Sequence, residues 1–278
     1  MAIIKAAARL ILRERVRYAY QGPVLCLGKP DIYLTPAELR AEAGYDGGID
    51  VDSEGRFVLD QSFFAALGLT DVTSIDIPGS TLAPDRIHDL NRPLPNDLTA
   101  RFGFLLDPGT TEHVFDVKAG LSNIVHALRP GGVVIHFVPT YSYNGGYISI
   151  NPNVLHDFYE ANGFIDIKSF LIMWDRYRPF ATRTRCYPYG SILKSRHALA
   201  DYDQCRFTPH VLLFARRGEP REEITVPIQH EDHGPSRPPR AVGRLARRVL
   251  PEGAVLYAAA WLRRQAQLRR SRSTSFWI

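Results

Sequence analysis

Two residues stand where a parallel α/β sheet would meet a nucleotide. Gly28 closes the apolar run Val24-Leu25-Cys26-Leu27, and Asp76 lies at the end of a second run, Val72–Ile77. Glycine after the first strand lets a ligand approach the backbone, and a carboxylate ending the second can bond both hydroxyls of a ribose. A nicotinamide dinucleotide would be served equally well. Farther on, Glu112-His113 follow a run at Phe102–Leu106. An imidazole there can take a proton from an acceptor at neutral pH, or the pair can simply open the next helix and orient the loop. His136 sits inside an apolar run and reads as a hydrogen-bonded core residue. Tyr141, Tyr143 and Asn144 follow that run and can line an acceptor pocket or pack beneath a later segment. The histidines show no metal-ligand spacing, so no metal site is expected. Cys26, Cys186 and Cys205 form no CxxC pair, which argues against a disulfide framework and for a reducing compartment.

These residues need a scaffold. The short apolar run at 24–28 reads as a buried parallel strand, and 72–77, 87–90, 102–106, 133–138, 165–171 and 210–215 read as further strands. Helical periodicity or helix-end signals mark 36–43, 61–67 and 114–128, the last stopped by Arg129-Pro130-Gly131-Gly132. Asn151-Pro152 offers an N-cap followed by proline at the first helical position, and Asn162-Gly163 ends that helix. Strands alternating with helices predict a mainly parallel sheet with helices on both faces.

The motifs come in series. Ile87-His88-Asp89-Leu90-Asn91-Arg92-Pro93-Leu94-Pro95 is followed by Asp107-Pro108-Gly109-Thr110-Thr111-Glu112-His113-Val114, and then by Leu128-Arg129-Pro130-Gly131-Gly132. This series resembles the class I S-adenosylmethionine (SAM)-dependent methyltransferases, in particular the small-molecule type, over roughly residues 22–172. The resemblance implies a Rossmann-like α/β fold, with a mainly parallel seven-stranded sheet and an antiparallel last strand. It implies SAM as cofactor, with Gly28 at the first loop, Asp76 and Ile77 at the ribose, Asp89 and Leu90 at the adenine, and Asp107 toward the methionine end. Glu112, Tyr141, Tyr143 and Asn144 would meet the acceptor, and His113 would be the base. The chain departs from the family at the first loop, where Gly28-Lys29-Pro30-Asp31 replaces G-x-G-x-G and Cys26 replaces the usual acid. Lys29 would bring a cation toward a ligand that already carries a sulfonium.

Charge separates the remaining parts. The net charge is +5, but the arginines crowd into residues 1–22 and 237–278, leaving an acidic body. An acidic body argues against nucleic acid as the core's substrate. The division expected is a basic amphipathic helix at 1–22, a methyltransferase-like domain at 23–217 with an Arg/Tyr/Trp-rich insertion at 173–208, a Pro-rich linker at 218–240, and a basic helical tail at 241–278 including a helix at 254–268. No secretory signal or apolar run of spanning length is present, which predicts a cytoplasmic protein whose basic ends can also lie on the anionic inner face of a membrane. The leading expectation is methyl transfer to a small-molecule, glycan or lipid-linked sugar acceptor. The alternatives are a non-catalytic scaffold of the same fold at a membrane-attached assembly and, third, a nicotinamide oxidoreductase.

Overall fold

The computed structural model describes residues 2–80, 82–141, 145–189, 206–228 and 276–278. In chain order the elements are β1 (Ala2–Ile3), α1 (Lys5–Tyr18), β2 (Val24–Leu27), β3 (Asp31–Ile32), α2 (Pro36–Ala43), α3 (Asp60–Ala66), β4 (Val72–Asp76) and β5 (Arg86–Ile87). They continue with β6 (Phe102–Asp107), α4 (Val117–Ala127), β7 (Leu128–Pro139), α5 (Pro152–Ala161), β8 (Phe164–Asp175), β9 (Arg185–Tyr189), β10 (Phe207–Arg217) and β11 (Phe276–Trp277).

The main sheet has the order β11-β9-β8-β10-β7-β6-β2-β4-β5. From β2 the chain steps outward through β4 to β5, then returns to the other side of β2 for β6 and β7, all parallel. β10 inserts antiparallel between β7 and β8. The sheet is mainly parallel, as expected, and among the described residues β9 and β11 extend it to nine strands.

Alternation of side chains along each strand builds two cores. Cys26 of β2, Phe104 and Leu106 of β6 and Ile135 of β7 join Leu10, Ile11, Leu39, Phe63 and Phe64 from α1, α2 and α3 on one face. Leu25, Leu27, Leu105, Val134 and Val138 join Leu121 and Ile124 of α4 and Leu155 and Tyr159 of α5 on the other. Period-two alternation within continuous apolar runs is what a sheet covered on both faces requires.

The helix ends have local causes. Thr35 and Glu38 form a reciprocal capping box at α2, and Asn151 accepts from the Asn153 amide at α5, where Pro152 sits at the first turn. The strand expected at 133–138 begins earlier, at Leu128, because Gly132 passes so close to Phe102 that a Cβ would lie 2.9 Å from its carbonyl oxygen. Only a glycine lets the two backbones approach there.

α1 is packed into the body of the protein. Its apolar stripe is buried, and its basic stripe meets α2: Lys5 Nζ lies 2.8 Å from Glu38 Oε1, Arg9 Nε 3.1 Å from Glu42 Oε1, and Arg13 3.4 Å from Glu42 Oε2. Part of the segment read as an insertion is regular structure, since the antiparallel pairing of β8 and β10 runs on to join Asp175 with Phe207, and β9 pairs on the other side of β8. The chain's last residues form an edge strand, with Ile278 and Thr184 exchanging backbone hydrogen bonds of 2.8 and 3.1 Å. The helix expected at 254–268 and most of the linker and tail lie outside the described residues. Among the described residues no helix is long and apolar enough to cross a membrane.

Candidate active site

Ligands of open α/β sheets bind outside the carboxyl ends of the strands, where the strand order reverses. Here that point lies between β2 and β6. Gly28 takes a left-handed φ of 80° and its amide donates to the Ile75 carbonyl at 2.7 Å, fixing the end of β2 against β4. Asp76 is half-buried, and its Oδ1 accepts from the Ile77 amide at 2.8 Å. Ile77 presents an exposed apolar side chain beside it. The loop after Gly28 enters β3, which pairs with β1 in parallel and so ties the amino-terminal segment to this edge. Lys29 is balanced by a carboxylate, its Nζ lying 3.7 Å from Asp85 Oδ1, and Asp85 is itself held by the Ser74 amide and hydroxyl at 2.8 and 2.7 Å.

The expected third strand is only Arg86–Ile87; the rest of that stretch is a loop clamped by α4. Asn123 of α4 donates to the carbonyls of Leu90 and Arg92 at 2.9 and 2.8 Å and accepts from the Leu94 amide at 3.1 Å. Leu90 is thereby buried, while Asp89 stays exposed with its Oδ1 accepting from Asn91 at 2.9 and 2.7 Å.

Asp107 is completely buried at the end of β6 and is bonded within the loop that follows it. Oδ1 accepts the amides of Gly109, Thr110 and Thr111 at 3.3, 2.8 and 3.3 Å; Oδ2 accepts from Thr111 Oγ1 at 2.5 Å and from His136 Nδ1 at 2.6 Å. Tyr159 of α5 closes the chain at His136 Nε2, 2.6 Å away, as expected for a hydrogen-bonded core histidine. Burial alone would push the Asp107 carboxyl up, but the His136 bond and charge, aided by Thr111 and Thr110, hold it below the usual carboxylate range. Thr110 also donates its hydroxyl to the Leu27 carbonyl, so the loop after β6 is pinned to both its own strand and β2.

That pinned loop carries Glu112 and His113 on a single 3-10 turn, with Glu112 buried and His113 exposed. Both line a cleft of about 590 Å³ with Asp31, Tyr33, Gly109, Phe137, Trp174, Arg176 and His210. The cleft opens at the carboxyl edge of β6 and β7, where the antiparallel β10 begins. Glu112 is only 4% exposed, and its Oε2 has no hydrogen-bond partner. Burial, then the nearby Asp107 charge, pushes its carboxyl up to about 8. His210 lies stacked on Phe137 with Trp174 at its edge. Its Nδ1 is 3.1 Å from the Thr208 carbonyl, which can only accept, so Nδ1 carries the hydrogen. Burial holds this imidazole down to about 4, so it is neutral at physiological pH.

The fold therefore gathers Glu112 and His113 at the cleft and sets Gly28, Asp76 and Ile77 at the ends of β2 and β4 on the same edge. Tyr141 follows β7, and Tyr143 and Asn144 lie outside the described residues. Reasoning from sequence missed His210 as a cleft residue, because a histidine at the start of an apolar run carries no sign of which end of the strand meets the site. Among the described residues no cluster of His, Cys, Asp or Glu is arranged to hold a metal ion.

No family model matches the sequence, and no curated protein matches it. Solved structures do resemble it in shape. A SAM-dependent methyltransferase from Thermotoga maritima is 13% identical over 75% of this chain and 95% of its own, with a TM-score of 0.41. A SAM-dependent methyltransferase from Archaeoglobus fulgidus is 13% identical over 76% and 94%, also at 0.41. Phosphoethanolamine N-methyltransferase 2 from Haemonchus contortus, solved with SAM, is 15% identical over 76% of this chain and 52% of its own, at 0.41. The fold is a Rossmann-like α/β fold, and the mainly parallel sheet with its antiparallel β10 carries that assignment.

Proposed function

We propose that the protein is a SAM-dependent methyltransferase acting on a small molecule, with a sugar-like hydroxyl acceptor favoured. The observation that carries this reading is the juxtaposition at one sheet edge of the Gly28 and Asp76 strand ends and a cleft lined by the pinned loop after β6. A methyl transferase needs both, because cofactor and acceptor must meet in line with water excluded. Such alignment contributes up to roughly 7–11 kcal/mol of the barrier.

The residues present fit the cofactor. Asp76 bonds the Ile77 amide through Oδ1, leaving Oδ2 for ribose hydroxyls. Ile77 offers apolar cover, and Asp89 and the Leu90 backbone are suited to the adenine. Lys29, the residue least suited to a sulfonium, is balanced by Asp85. When bound, SAM supplies an activated methyl group. The chain's own part is to hold the acceptor against the aromatic wall of Tyr33, Phe137 and Trp174, and to receive its proton. His113, at the cleft, is a candidate for the second task, which is typically worth ~10²–10⁴-fold.

Neutral His210 and uncharged Glu112 favour a hydroxyl-bearing acceptor over a strongly anionic one. Glycans and lipid-linked sugars belong to that class. Peripheral attachment to an anionic membrane would fall to the arginine-rich carboxyl-terminal segment, since the basic face of α1 is engaged with Glu38 and Glu42.

Calorimetric titration with SAM, S-adenosylhomocysteine (SAH) and NADH tests the reading. Saturable binding of the first two and none of NADH is expected. Absence of binding by both adenosyl ligands would leave the non-catalytic scaffold reading.

A further inference from the structure

The boundary between the nucleoside side and the cleft is where the reacting sulfur must lie, and one buried side chain stands there. Glu112 follows β6 on the loop whose Thr110 hydroxyl is tied to the end of β2, and it lines the cleft. Two glycines make its position available. A Cβ on Gly109 would come 3.1 Å from Glu112 Oε1, and one on Gly146 would come 2.9 Å from its Cγ and 2.7 Å from its carbonyl oxygen. The side chain is almost wholly buried, yet Oε2 has no partner. A buried carboxyl with an unbonded oxygen is costly, and such groups call for an explanation in a ligand or in chemistry.

We propose that Glu112 is the counter-charge of the cofactor's sulfonium, losing its proton when SAM binds and regaining one from the acceptor when the methyl group leaves. This inference rests on the reading above that SAM occupies the carboxyl edge of the sheet.

The step balances. Before transfer the carboxylate faces a cationic sulfonium. As the acceptor's oxygen bonds the methyl carbon, the carbon–sulfur bond breaks and its electron pair stays on sulfur, giving a neutral thioether. The acceptor's O–H bond breaks and its proton passes to the Glu112 carboxylate. Product release thus leaves a protonated Glu112 carboxyl, which is the state this buried group favours on its own. Glu112 would then take the proton that the sequence assigned to His113.

Several groups surround Glu112. Asp107 and His136 lie behind it on β6 and β7, and His113 is beside it on the same turn. Asp31 of β3, His210 of β10 and Arg176 at the end of β8 share the cleft, and the chain's amino-terminal charge opposes the rise of its pKa. Any of these could contribute to proton linkage, so the test compares the protein with a Glu112→Gln variant that leaves them in place.

With its carboxyl at about 8, Glu112 is ~90% protonated at pH 7. An apposed cation lowers such an acid by about 1–3 pH units, which releases about 0.4–0.9 proton per SAM bound. The measurement is calorimetric titration of the whole protein with SAM and with SAH at pH 7, in phosphate and in Tris, whose ionisation enthalpies differ. Proton release with SAM, none with SAH, and none with either ligand in Glu112→Gln are expected. At pH 9.5 the wild-type release should fall toward zero, a readout that needs no variant. Binding of both ligands without proton release at pH 7, or with release unchanged in Glu112→Gln, overturns the proposal and spares the cofactor reading. Failure of both ligands to bind overturns the cofactor reading and this proposal with it.

Discussion

Glu112→Gln should make the protein more stable at alkaline pH, and the structure gives the size of the effect. The native Glu112 carboxyl stands at about 8, against 4.5 for an ordinary glutamate, because burial and then the Asp107 charge disfavour its ionised form. A group whose pKa is raised by folding contributes stability that is fully present below its unfolded value and is lost as pH rises through its folded value. Glu112 should therefore cost the native state progressively more between about pH 4.5 and 8. At about 1.36 kcal/mol per pH unit the span amounts to roughly 3–5 kcal/mol, with little solvent screening because the side chain is buried. His210 runs the other way: its depressed imidazole adds stability as pH rises from about 4 to 6.5. Comparing variant and wild type at each pH cancels that contribution. Urea unfolding at pH 5, 7 and 9 supplies the differences. The stability of Glu112→Gln relative to wild type should rise by at least about 2 kcal/mol from pH 5 to pH 9. A difference that stays constant with pH would refute the claim that Glu112 is buried near an ionised Asp107.

Three further outcomes follow from the same geometry. Asp107→Ala leaves His136, Thr111 and three loop amides without their shared acceptor and should destabilise the protein by about 3–5 kcal/mol in denaturant unfolding; Asp107→Asn should cost less, because His136 can change tautomer to donate toward Tyr159. Asp76→Ala should weaken SAM binding at least about tenfold, or ~1.4 kcal/mol, and unchanged affinity in calorimetry would remove Asp76 from the ribose site. Replacing Arg263, Arg264, Arg269 and Arg270 by serine should abolish co-sedimentation with vesicles containing anionic lipid, since each arginine near such a surface contributes about 1 kcal/mol; equal pelleting of both proteins would reject the tail as an anchor.

Much of the scaffold was legible because each element carries its own local signal. Parallel strands buried on both faces read as continuous apolar runs, so β2, β6 and β7 stood out between glycines and prolines. α5 announced itself through Asn151-Pro152, and α2 was found over the same residues, 36–43, that it occupies. What escaped depends on partners distant in sequence. β1 and β3 are two residues each and exist only because they pair with one another. The pairing of β8 and β10 extends through Trp174, Asp175 and Phe207, where the cross-strand register rather than an apolar run defines the strand ends.

The site was legible at its landmarks and not in its electrostatics. Gly28, Asp76 and Glu112-His113 lie along the expected edge. Nothing in the spacing reveals that Asp107 is fully buried and bonded within the loop while Glu112, five residues later, is buried with an oxygen to spare. Those two carboxylates differ only in the donors that tertiary packing brings to them. The basic stripe of α1 makes the same point, since it reads as a solvated or membrane-facing surface until Glu38 and Glu42 arrive against it.

The central claim is that one sheet edge holds SAM with its ribose at Asp76 and its sulfur at the mouth of the Glu112 cleft. A crystal structure of the protein with SAH tests it most directly. The account predicts adenosine density between Gly28 and Asp76, within hydrogen-bond reach of the Asp76 carboxylate, and sulfur beside Glu112. Ligand bound elsewhere on the fold, or an edge left empty at saturating SAH, would contradict it.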